Sequence, residues 1–482
     1  MQIDIDNVQK DIYIDGAWRA ASDGARFDVI DPATEQAIAS VADASVEDAI
    51  SAVDAAYAAA PKWAATPPRE RSEILRRAYE IMVARKDQIA HLITLESGKA
   101  LSEAKGEALY AAEFLRWFSE EAVRAVGETS VAPNGGNRII VQRHPIGVSV
   151  FVTPWNFPAA MATRKIAPAL AAGCTTVLKP AKETPLTALA MAMIFEEAGV
   201  PPGVVNVVPT RRSSRAVAAM LKDSRVRKFS FTGSTQIGRV LLAQAAENVV
   251  KCSMELGGNA PFIVFADADL DVAVSAAMIA KLRNGGESCT AANRFYVEKP
   301  IAEEFTARLA AEMSSIKIGH GLDESVQLGP MVNADTRQKI AGLVEDALRQ
   351  GARLVTGGKA LDRPGFFYEP TVLANVALDS QILREEIFGP VAPIAIFEGE
   401  AQAIALANST EFGLVSFVHT QDLAKALRVA DQIESGMVGI NRGVVSDPAA
   451  PFGGWKQSGI GREGAHDGLL EYLESKYIAV SW

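Results

Sequence analysis

One cysteine of the sequence lies in a segment suited to covalent chemistry. Cys289 stands in "RNGGESCTAANR", where glycines come before it and small residues follow it. Glycine lets the backbone adopt unusual dihedral angles and lets a ligand approach closely, and the thiolate is the nucleophilic form of cysteine. Cys174 and Cys252 lie beside apolar strand residues, which is typical of small buried hydrophobes. The pattern therefore indicates Cys289 as the candidate nucleophile.

Two other polar residues follow apolar segments that predict buried strands. Asn156 lies in "VTPWNFP", where two prolines stiffen the loop, and a fixed amide is suited to stabilising an oxyanion. Glu255 lies in "MELGGNAP" before a Gly-Gly turn, and apolar surroundings would raise the pKa of its carboxyl group and suit it to act as a base. Core packing explains the neighbouring Trp155 and Phe157 equally well, and backbone N–H groups that satisfy Glu255 are the plain alternative for that residue.

Cationic residues follow two consecutive predicted strands. Lys179 ends the strand of "TTVLKPAKETP", Lys182 lies three residues further on, and Arg211 and Arg212 follow the next strand. The chain has a net charge of −10, so cations at two strand ends point toward a phosphate group. A coincidence of surface charges is the alternative.

A third feature is a turn from strand to helix in "FTGSTQIG". Gly233 and Ser234 lie at this turn, and the N-terminus of a helix offers free N–H groups and a partial positive charge to an anion. Gly233 and Gly238 have the spacing of P-loop glycines, but Arg239 and Val240 stand where that motif needs Lys and Ser or Thr. An ordinary turn remains the alternative to a phosphate site.

The surrounding sequence predicts an α/β protein. Between about residues 147 and 245, strand-like and helix-like segments alternate about four times, which is the signature of a doubly wound, mostly parallel sheet. Such sheets bind ligands at the carboxyl ends of their strands. Residues 46–118 predict helices, with Ser45 as an N-cap, and a second α/β region follows residue 258. The final "YLESKYIAVSW" predicts a terminal strand that needs a partner edge.

The composition narrows the classes of partner and compartment. The 482 residues carry more acidic than basic side chains, which argues against nucleic acid or an anionic membrane as the main partner. Three cysteines without a CxxC pair argue against a disulfide framework or a zinc site and favour a cytoplasmic setting. No apolar run reaches ~18 residues, and the first residues lack a signal-peptide pattern.

Taken together, the motifs resemble those of the NAD(P)-dependent aldehyde dehydrogenases, over essentially the whole chain. The matching segments, in that family's order and spacing, are "VTPWNFP", "VLKPAKETP", "FTGSTQIG", "MELGGNAP", "GGESCTAANR", "EEIFGPV" and "PFGGWKQSGIGREG". The resemblance implies an α/β fold with a Rossmann-like coenzyme domain, an α/β catalytic domain and a β oligomerisation flap. The implied limits are 1–124 and 147–257 for the coenzyme domain, 258–440 for the catalytic domain, 125–146 and 472–482 for the flap, and 441–471 for a segment that returns to the coenzyme domain and substrate tunnel.

The resemblance also implies a role for each motif. Cys289 attacks the aldehyde carbonyl, and the Asn156 amide and the Cys289 backbone N–H hold the oxyanion. Glu255 then activates the water that hydrolyses the thioester, while Lys165 and Glu463 match supporting positions. The implied coenzyme contacts are Trp155, Asn156, Lys179, Gly233, Ser234, Leu256, Glu386 and Phe388.

One coenzyme position departs from the NAD-type pattern. Strongly NAD-specific members of the family carry Glu where this chain has Lys182. A carboxylate repels the 2′-phosphate of NADP, whereas an ammonium group attracts it. With Arg211 and Arg212 nearby, we expect NADP to be preferred to NAD or at least well accepted.

Three residues match the positions that hold the distal carboxylate in succinate-semialdehyde dehydrogenases, namely Arg164, Arg283 and Ser446. Guanidinium groups and a hydroxyl suit an anionic tail, although Arg283 could instead pair with Glu287 or another local acid. The resemblance predicts oxidation of succinate semialdehyde to succinate by a homodimer or homotetramer. A dehydrogenase of glutarate or 2-oxoglutarate semialdehyde, or one of broad specificity, is the alternative.

Other readings of the motifs are weaker. A CoA-acylating relative often lacks the general base, so Glu255 argues against it, and a non-catalytic descendant would not need Cys289 and Asn156. Ala291 stands where many succinate-semialdehyde relatives have a second cysteine, so we expect no regulatory disulfide there. Arg294 matches no functional position and is expected to be structural.

Overall fold

The computed structural model describes residues 4–481 as an α/β molecule. Its strands are β1 (Ile12–Ile14), β2 (Ala17–Arg19), β3 (Arg26–Asp31), β4 (Gln36–Ala42), β5 (Glu128–Val131), β6 (Arg138–Pro145), β7 (Val148–Val152), β8 (Thr176–Lys179), β9 (Val205–Val207), β10 (Val226–Thr232), β11 (Lys251–Glu255), β12 (Ala260–Val264), β13 (Ala292–Glu298), β14 (Arg353–Thr356), β15 (Thr371–Ala374), β16 (Val391–Phe397), β17 (Phe412–Gly413), β18 (Val415–His419), β19 (Met437–Ile440), β20 (Trp455–Lys456), β21 (Gly459–Ile460) and β22 (Leu473–Val480).

The α-helices lie mainly between these strands, as the alternating sequence pattern predicts. They are α1 (Val46–Ala65), α2 (Pro68–Ala84), α3 (Lys86–Ser97), α4 (Leu101–Glu121), α5 (Pro158–Ala172), α6 (Pro185–Glu197), α7 (Ser213–Lys222), α8 (Thr235–Ala245), α9 (Leu270–Leu282), α10 (Ala302–Ser314), α11 (Ala334–Arg349), α12 (Glu400–Ala407), α13 (Leu423–Gln432) and α14 (Ala465–Leu470). Ser45 caps α1 as predicted, because its side chain accepts a hydrogen bond from the Asp48 N–H while the Asp48 carboxylate accepts one from the Ser45 N–H.

The first large sheet has the strand order β2-β1-β9-β8-β7-β10-β11-β21. Its central strands from β9 to β11 run parallel, and β1 and β21 add antiparallel edges. Strand β7 is buried along its whole length, as expected for a strand with helices on both faces of its sheet. Apolar clusters cover both faces, and the predicted doubly wound architecture is confirmed.

The connections of this sheet create a ligand crevice. The chain builds β7, β8 and β9 in one direction and then returns to place β10 and β11 on the other side of β7. Ligands of such sheets bind where the direction reverses, beyond the carboxyl ends of the strands. Asn156 follows β7, Gly233 follows β10, and Glu255 ends β11, so the three predicted residues lie at this edge.

The second large sheet places the cysteine opposite that edge. Its order is β14-β15-β16-β13-β12-β18-β19, and all its pairings are parallel except that of β14 with β15. Cys289 comes shortly before β13, and Gly258 comes shortly before β12. A side chain at Gly258 would collide with the Cys289 carbonyl oxygen at 2.4 Å. The glycine therefore allows the two segments to approach closely.

A small antiparallel sheet of order β22-β6-β5 contains the C-terminal strand. Strands β22 and β6 pair from Leu473 opposite Pro145 to Val480 opposite Arg138. The predicted partner edge for the terminal strand is thus present, while Trp482 lies outside the described residues. The domain limits and the role of this sheet in subunit contact stay predictions.

Candidate active site

Cys289 lies where two cavities meet. One cavity, called here the glycine-side cavity because Gly233 and Gly257 line it, has a volume of about 240 Å³. The other, called the arginine-side cavity because Arg164 and Arg283 line it, has a volume of about 10 Å³. Within residues 4–481, Cys289 is the residue that lines both of them. The glycine-side lining is Pro154, Trp155, Asn156, Thr232, Gly233, Ser234, Leu256, Gly257, Cys289, Thr336, Lys339, Glu386 and Phe388. The arginine-side lining is Tyr110, Phe157, Met161, Arg164, Arg283, Ser288, Cys289, Thr290, Ser446 and Phe452.

The Cys289 thiol is held in its protonated form by its surroundings. Burial raises its pKa to about 12, and the negative charge of Glu386 acts in the same direction. Arg164 opposes this shift. Because only the thiolate is a strong nucleophile, the reaction needs a group that removes this proton or stabilises the resulting charge.

The Asn156 amide is fixed beside the thiol. Its side chain is buried, and its Nδ2 donates one hydrogen bond to the Glu287 carbonyl oxygen at 3.0 Å. An amide nitrogen carries two hydrogens, so one N–H remains for an oxygen in the glycine-side cavity. A pre-oriented donor of this kind stabilises a developing oxyanion.

The Glu255 carboxyl group is buried without a hydrogen-bond partner. It ends β11 with 2% of its surface exposed, and neither of its oxygens accepts or donates a hydrogen bond within the described chain. Burial, followed by the charge of Glu463, raises its pKa well above the usual range. The alternative that backbone N–H groups satisfy this carboxylate is wrong. A carboxyl group in this state is suited to take a proton from water once it ionises.

A charged cluster lies beneath Glu255. The Lys165 ammonium donates to Glu463 Oε1 at 2.6 Å and to Ser230 Oγ at 2.8 Å, and Arg164 lies 3.4 Å from Glu463 Oε2. Burial alone would raise the pKa of Glu463, but Lys165 and Arg164 together hold it below its usual value. Glu463 therefore stays anionic and helps to keep Glu255 protonated.

The remaining residues of the glycine-side cavity form a polar pocket with an aromatic wall. Trp155 and Phe388 meet edge to face with ring centroids 5.4 Å apart, and Ser234 is the N-cap of α8, next to Gly233. Glu386 accepts a hydrogen bond from the Gly258 N–H at 3.1 Å, and burial raises its pKa to about 7. The structure thus brings together the predicted residues Trp155, Asn156, Gly233, Ser234, Leu256, Glu386 and Phe388.

The predicted cations lie apart from the cysteine and are only partly grouped. Lys182 and Arg211 line another cavity of about 370 Å³. Lys179 is buried at the end of β8, and burial lowers its pKa to about 8. Arg212 pairs with Asp23 at 2.5 Å, and Arg211 and Arg212 both lie within 4 Å of the Asp43 carboxylate. The expectation that both arginines lie near Lys182 stays a prediction.

Arg283 lies in the arginine-side cavity, where its charge opposes the rise that burial causes in the pKa of the nearby Glu103 carboxyl group, without a contact of ion-pair length. Its guanidinium lies 4.9 Å from the Phe157 ring centroid and 5.8 Å from that of Tyr110. No ion pair to it is present in the described part of the chain. The alternative pairing with Glu287 is wrong, because Glu287 Oε1 accepts a hydrogen bond from the Val332 N–H at 3.0 Å. A positive charge on an aromatic wall is left for a ligand.

Arg164 and Ser446 complete the polar lining of the same cavity. Arg164 Nη2 donates to the Tyr110 hydroxyl at 2.6 Å, and the guanidinium lies 4.2 Å from the Phe452 ring centroid. A volume of about 10 Å³ holds about one water molecule. The lining side chains must therefore move apart to admit a slender chain of several carbons.

The sequence did not reveal the aromatic wall or the contacts that hold the site. Tyr110 lies on α4, where its helical spacing cannot be told from that of a core aromatic residue. Phe452 lies in "PFGG", a motif that the resemblance includes without assigning this residue. Arg294 is structural as expected, because its buried guanidinium donates to the carbonyl oxygens of Asn259, Leu406 and Ala407.

Residues 4–481 offer neither a metal-binding cluster nor a membrane-spanning helix. No group of three or more His, Cys, Asp or Glu side chains in that range could hold a metal ion. No helix in the same range is long and apolar enough to cross a membrane.

A cysteine between two cavities, opposite the ligand-binding edge of a doubly wound sheet, is an arrangement suited to a thiol-dependent enzyme of the α/β class. The model of the aldehyde dehydrogenase family matches residues 18–478. The chain belongs to the aldehyde dehydrogenase family, and it is an oxidoreductase that uses a nicotinamide coenzyme.

Known relatives match the chain over nearly its whole length. A succinate-semialdehyde dehydrogenase of Paenarthrobacter nicotinovorans is 54% identical over 92% of this chain and 99% of the relative. A glutarate-semialdehyde dehydrogenase of Pseudomonas aeruginosa is 48% identical over 97% of each chain. The crystal structure of an NADP-dependent enzyme of E. coli is similar with a TM-score of 0.98, at 46% identity over 100% of both chains.

Proposed function

We propose that the protein oxidises a short semialdehyde with a distal carboxylate, and that succinate semialdehyde is its substrate. The observation that carries this proposal is the position of Cys289 at the junction of the two cavities, with the unpaired Arg283 on one side. A guanidinium that has no carboxylate at ion-pair distance and lines a cavity reaching Cys289 is suited to recognise an anionic group. The names of the relatives from P. nicotinovorans and P. aeruginosa support a substrate that is the semialdehyde of a dicarboxylic acid, with one carboxylate and one aldehyde group.

The proposed chemistry begins at the thiol. The Cys289 thiol first releases its proton to solvent water. Its sulfur then bonds to the aldehyde carbon as the carbonyl π bond breaks, and the carbonyl oxygen becomes an oxyanion that receives hydrogen bonds from Asn156 Nδ2 and the Cys289 backbone N–H. A nicotinamide coenzyme bound in the glycine-side cavity would supply a hydride acceptor, so that the oxyanion would collapse with loss of hydride from this carbon and leave a thioester on Cys289. Glu255 then takes a proton from water, the resulting hydroxide attacks the thioester, and the carbon–sulfur bond breaks. Cys289 leaves as a thiolate, and a carboxylic acid is released.

The glycine-side cavity fits the coenzyme by the chemistry of its lining. Thr232 Oγ1 and Asn156 Oδ1 are buried there without hydrogen-bond partners, so a polar ligand would satisfy them. We propose that Trp155, Leu256, Glu386 and Phe388 hold the nicotinamide end, that Gly233 and Ser234 face the diphosphate, and that Lys179 and Lys182 face the adenosine ribose.

We further propose a cytoplasmic homodimer or homotetramer. All three cysteines are free, which suits a reducing compartment. The sheet of β5, β6 and β22 leaves Tyr477 and Val131 more than half exposed, and such an edge suits pairing with another subunit. Sedimentation of the purified protein measures the number of subunits.

The substrate is tested with a panel of semialdehydes. We expect succinate semialdehyde to have the highest kcat/KM, measured as reduced coenzyme, among succinate, glutarate and 2-oxoglutarate semialdehydes and a neutral aldehyde of similar length. CoA should not be consumed, because the proposed acceptor of the acyl group is water. Equal kcat/KM for the neutral aldehyde, or product formation only with CoA, would contradict the proposal.

The coenzyme preference provides a separate prediction. The wild-type protein should prefer NADP to NAD in kcat/KM, because the ammonium of Lys182 attracts the 2′-phosphate. Lys182→Glu should lower the ratio of kcat/KM with NADP to kcat/KM with NAD by about 10- to 100-fold, because the new carboxylate repels the 2′-phosphate that the ammonium attracts. Lys222→Glu, a change of equal charge at the end of α7, is the control and should leave the ratio unaltered. A tenfold preference of the wild-type protein for NAD would refute the prediction.

A further inference from the structure

Asn284 joins the two loops that carry the proposed nucleophile and the proposed oxyanion donor. Its Nδ2 donates to the Asn156 carbonyl oxygen at 2.9 Å and to the Glu287 carbonyl oxygen at 2.9 Å. The first carbonyl belongs to the loop after β7, and the second lies two residues before Cys289. One amide group therefore spans both sides of the reaction centre.

The same Glu287 carbonyl also orients the side chain of Asn156. Asn156 Nδ2 donates to it at 3.0 Å, so this oxygen receives hydrogen bonds from both asparagine side chains. The direction of the remaining Asn156 N–H depends on where that carbonyl lies. Asn284 therefore acts on Asn156 in two ways. It donates a hydrogen bond to the Asn156 carbonyl oxygen, and it donates another to the Glu287 carbonyl oxygen, which orients the Asn156 side-chain amide.

Asn284 itself is held rigidly. Its backbone has φ 55° and ψ 38°, a left-handed conformation that asparagine tolerates better than most residues. Its N–H donates to Glu103 Oε1 at 2.8 Å, and 4% of the residue is exposed. A fixed backbone gives the amide a defined direction toward both carbonyls.

A second donor holds the Asn156 loop independently. The Lys99 ammonium donates to the Asn156 carbonyl oxygen at 2.8 Å, forms a buried ion pair with Glu107 and lies 4.2 Å from the Phe157 ring centroid. Loss of the Asn284 amide would therefore leave the loop attached to the protein. Its position relative to the Cys289 loop would be less well defined.

We propose that Asn284 is a positioning residue that aligns the Asn156 oxyanion donor with Cys289. This inference rests on the proposed function, because it presumes that Cys289 attacks a carbonyl and that Asn156 receives the resulting charge. Asn284 acts through Asn156 and lines neither of the two cavities that meet at Cys289. Its contribution should appear only in steps that develop an oxyanion, since misaligned donors lose transition-state stabilisation.

The test uses Asn284→Gly in the full chain, because glycine keeps the left-handed backbone and removes only the amide. Two rates are compared, the pre-steady-state burst of reduced coenzyme and the alkylation of Cys289 by iodoacetamide without coenzyme. Alkylation displaces iodide and forms no oxyanion. We expect the rate of the burst to fall by about 10- to 100-fold, which is at most the effect of removing one oxyanion donor altogether. The rate of alkylation should stay within about twofold of wild type.

The control is Asn206→Ala, because the buried Asn206 amide also donates to two carbonyl oxygens, those of Thr176 and Gly203, away from Cys289. It should leave both rates within about twofold of wild type. Asn284→Ala, which removes the amide without adding a charge, serves if the glycine variant does not fold and should slow the burst alone. An unchanged burst, or a burst and alkylation that fall together, would overturn the proposal. Failure of the proposed function looks different, because Cys289→Ala would then keep the burst.

Discussion

Replacement of Glu255 with glutamine is expected to lower kcat by about 10²–10⁴-fold, the usual effect of losing a general base. The reason is that Glu255 is a buried carboxyl group without hydrogen bonds, is close enough for its charge to act on the Cys289 thiol, and is proposed to activate water. The first turnover should persist, because Cys289 and Asn156 remain. Stopped-flow measurement should thus show a burst of one reduced coenzyme per site, followed by very slow turnover.

The pH dependence gives this prediction a second part. Burial and the charge of Glu463 raise the pKa of Glu255, so the carboxyl group is protonated below that pKa and cannot accept a proton from water. Where hydrolysis limits the rate, kcat of the wild-type protein should rise with pH through this pKa. In Glu255→Gln that rise should be absent.

The matched control for Glu255→Gln is Glu471→Gln. Glu471 is a partly buried carboxylate that accepts hydrogen bonds from Lys228 at 2.8 Å and Ser253 at 2.9 Å, away from the cavities that Cys289 lines. Its kcat should stay within about twofold of wild type, although its stability should fall, since a paired lysine loses its partner. A Glu255→Gln enzyme with undiminished kcat, or one that loses the burst as well, would refute the proposed base.

Replacement of Arg283 with alanine is expected to lower kcat/KM for succinate semialdehyde by about 10- to 100-fold, mostly through KM. A charged hydrogen bond to a carboxylate contributes about 1.5–3 kcal/mol, and a bond made equally in the ground and transition states appears in KM. For a neutral aldehyde of similar length, kcat/KM should change by less than about threefold. Steady-state rates of the two substrates measure the difference.

Arg283→Lys separates charge from geometry in this prediction. Lysine keeps the positive charge but lacks the planar fork that binds both carboxylate oxygens. We expect its kcat/KM for succinate semialdehyde to lie between those of wild type and Arg283→Ala. Equal losses for the neutral aldehyde and succinate semialdehyde in the alanine variant would instead assign Arg283 to the packing against Phe157 and Tyr110.

The sequence predicted those site residues that lie at the ends of recognisable strands. Asn156 and Glu255 follow apolar runs, and parallel strands end at one edge of a sheet, so their proximity was foreseeable. Cys289 stood out by its small neighbours. The resemblance to a family then placed Arg283 among the substrate contacts, and the structure brings it to the same cavity as Arg164 and Ser446.

The contacts between distant segments could not be read from the sequence. The Asn284 amide reaches Asn156 across 128 residues, and no local pattern encodes such a pairing. The same limit applies to Arg212, because its partner Asp23 lies 189 residues away along the chain.

The most direct test of the account is the mass of the peptide that contains Cys289. Glu255→Gln is mixed with succinate semialdehyde and NADP, quenched in acid and digested, so that an acyl-enzyme formed in the first turnover is preserved. The account predicts a succinyl group on Cys289 and none on Cys174 or Cys252. Reduced coenzyme without an adduct on Cys289, or an adduct on another residue, would contradict it.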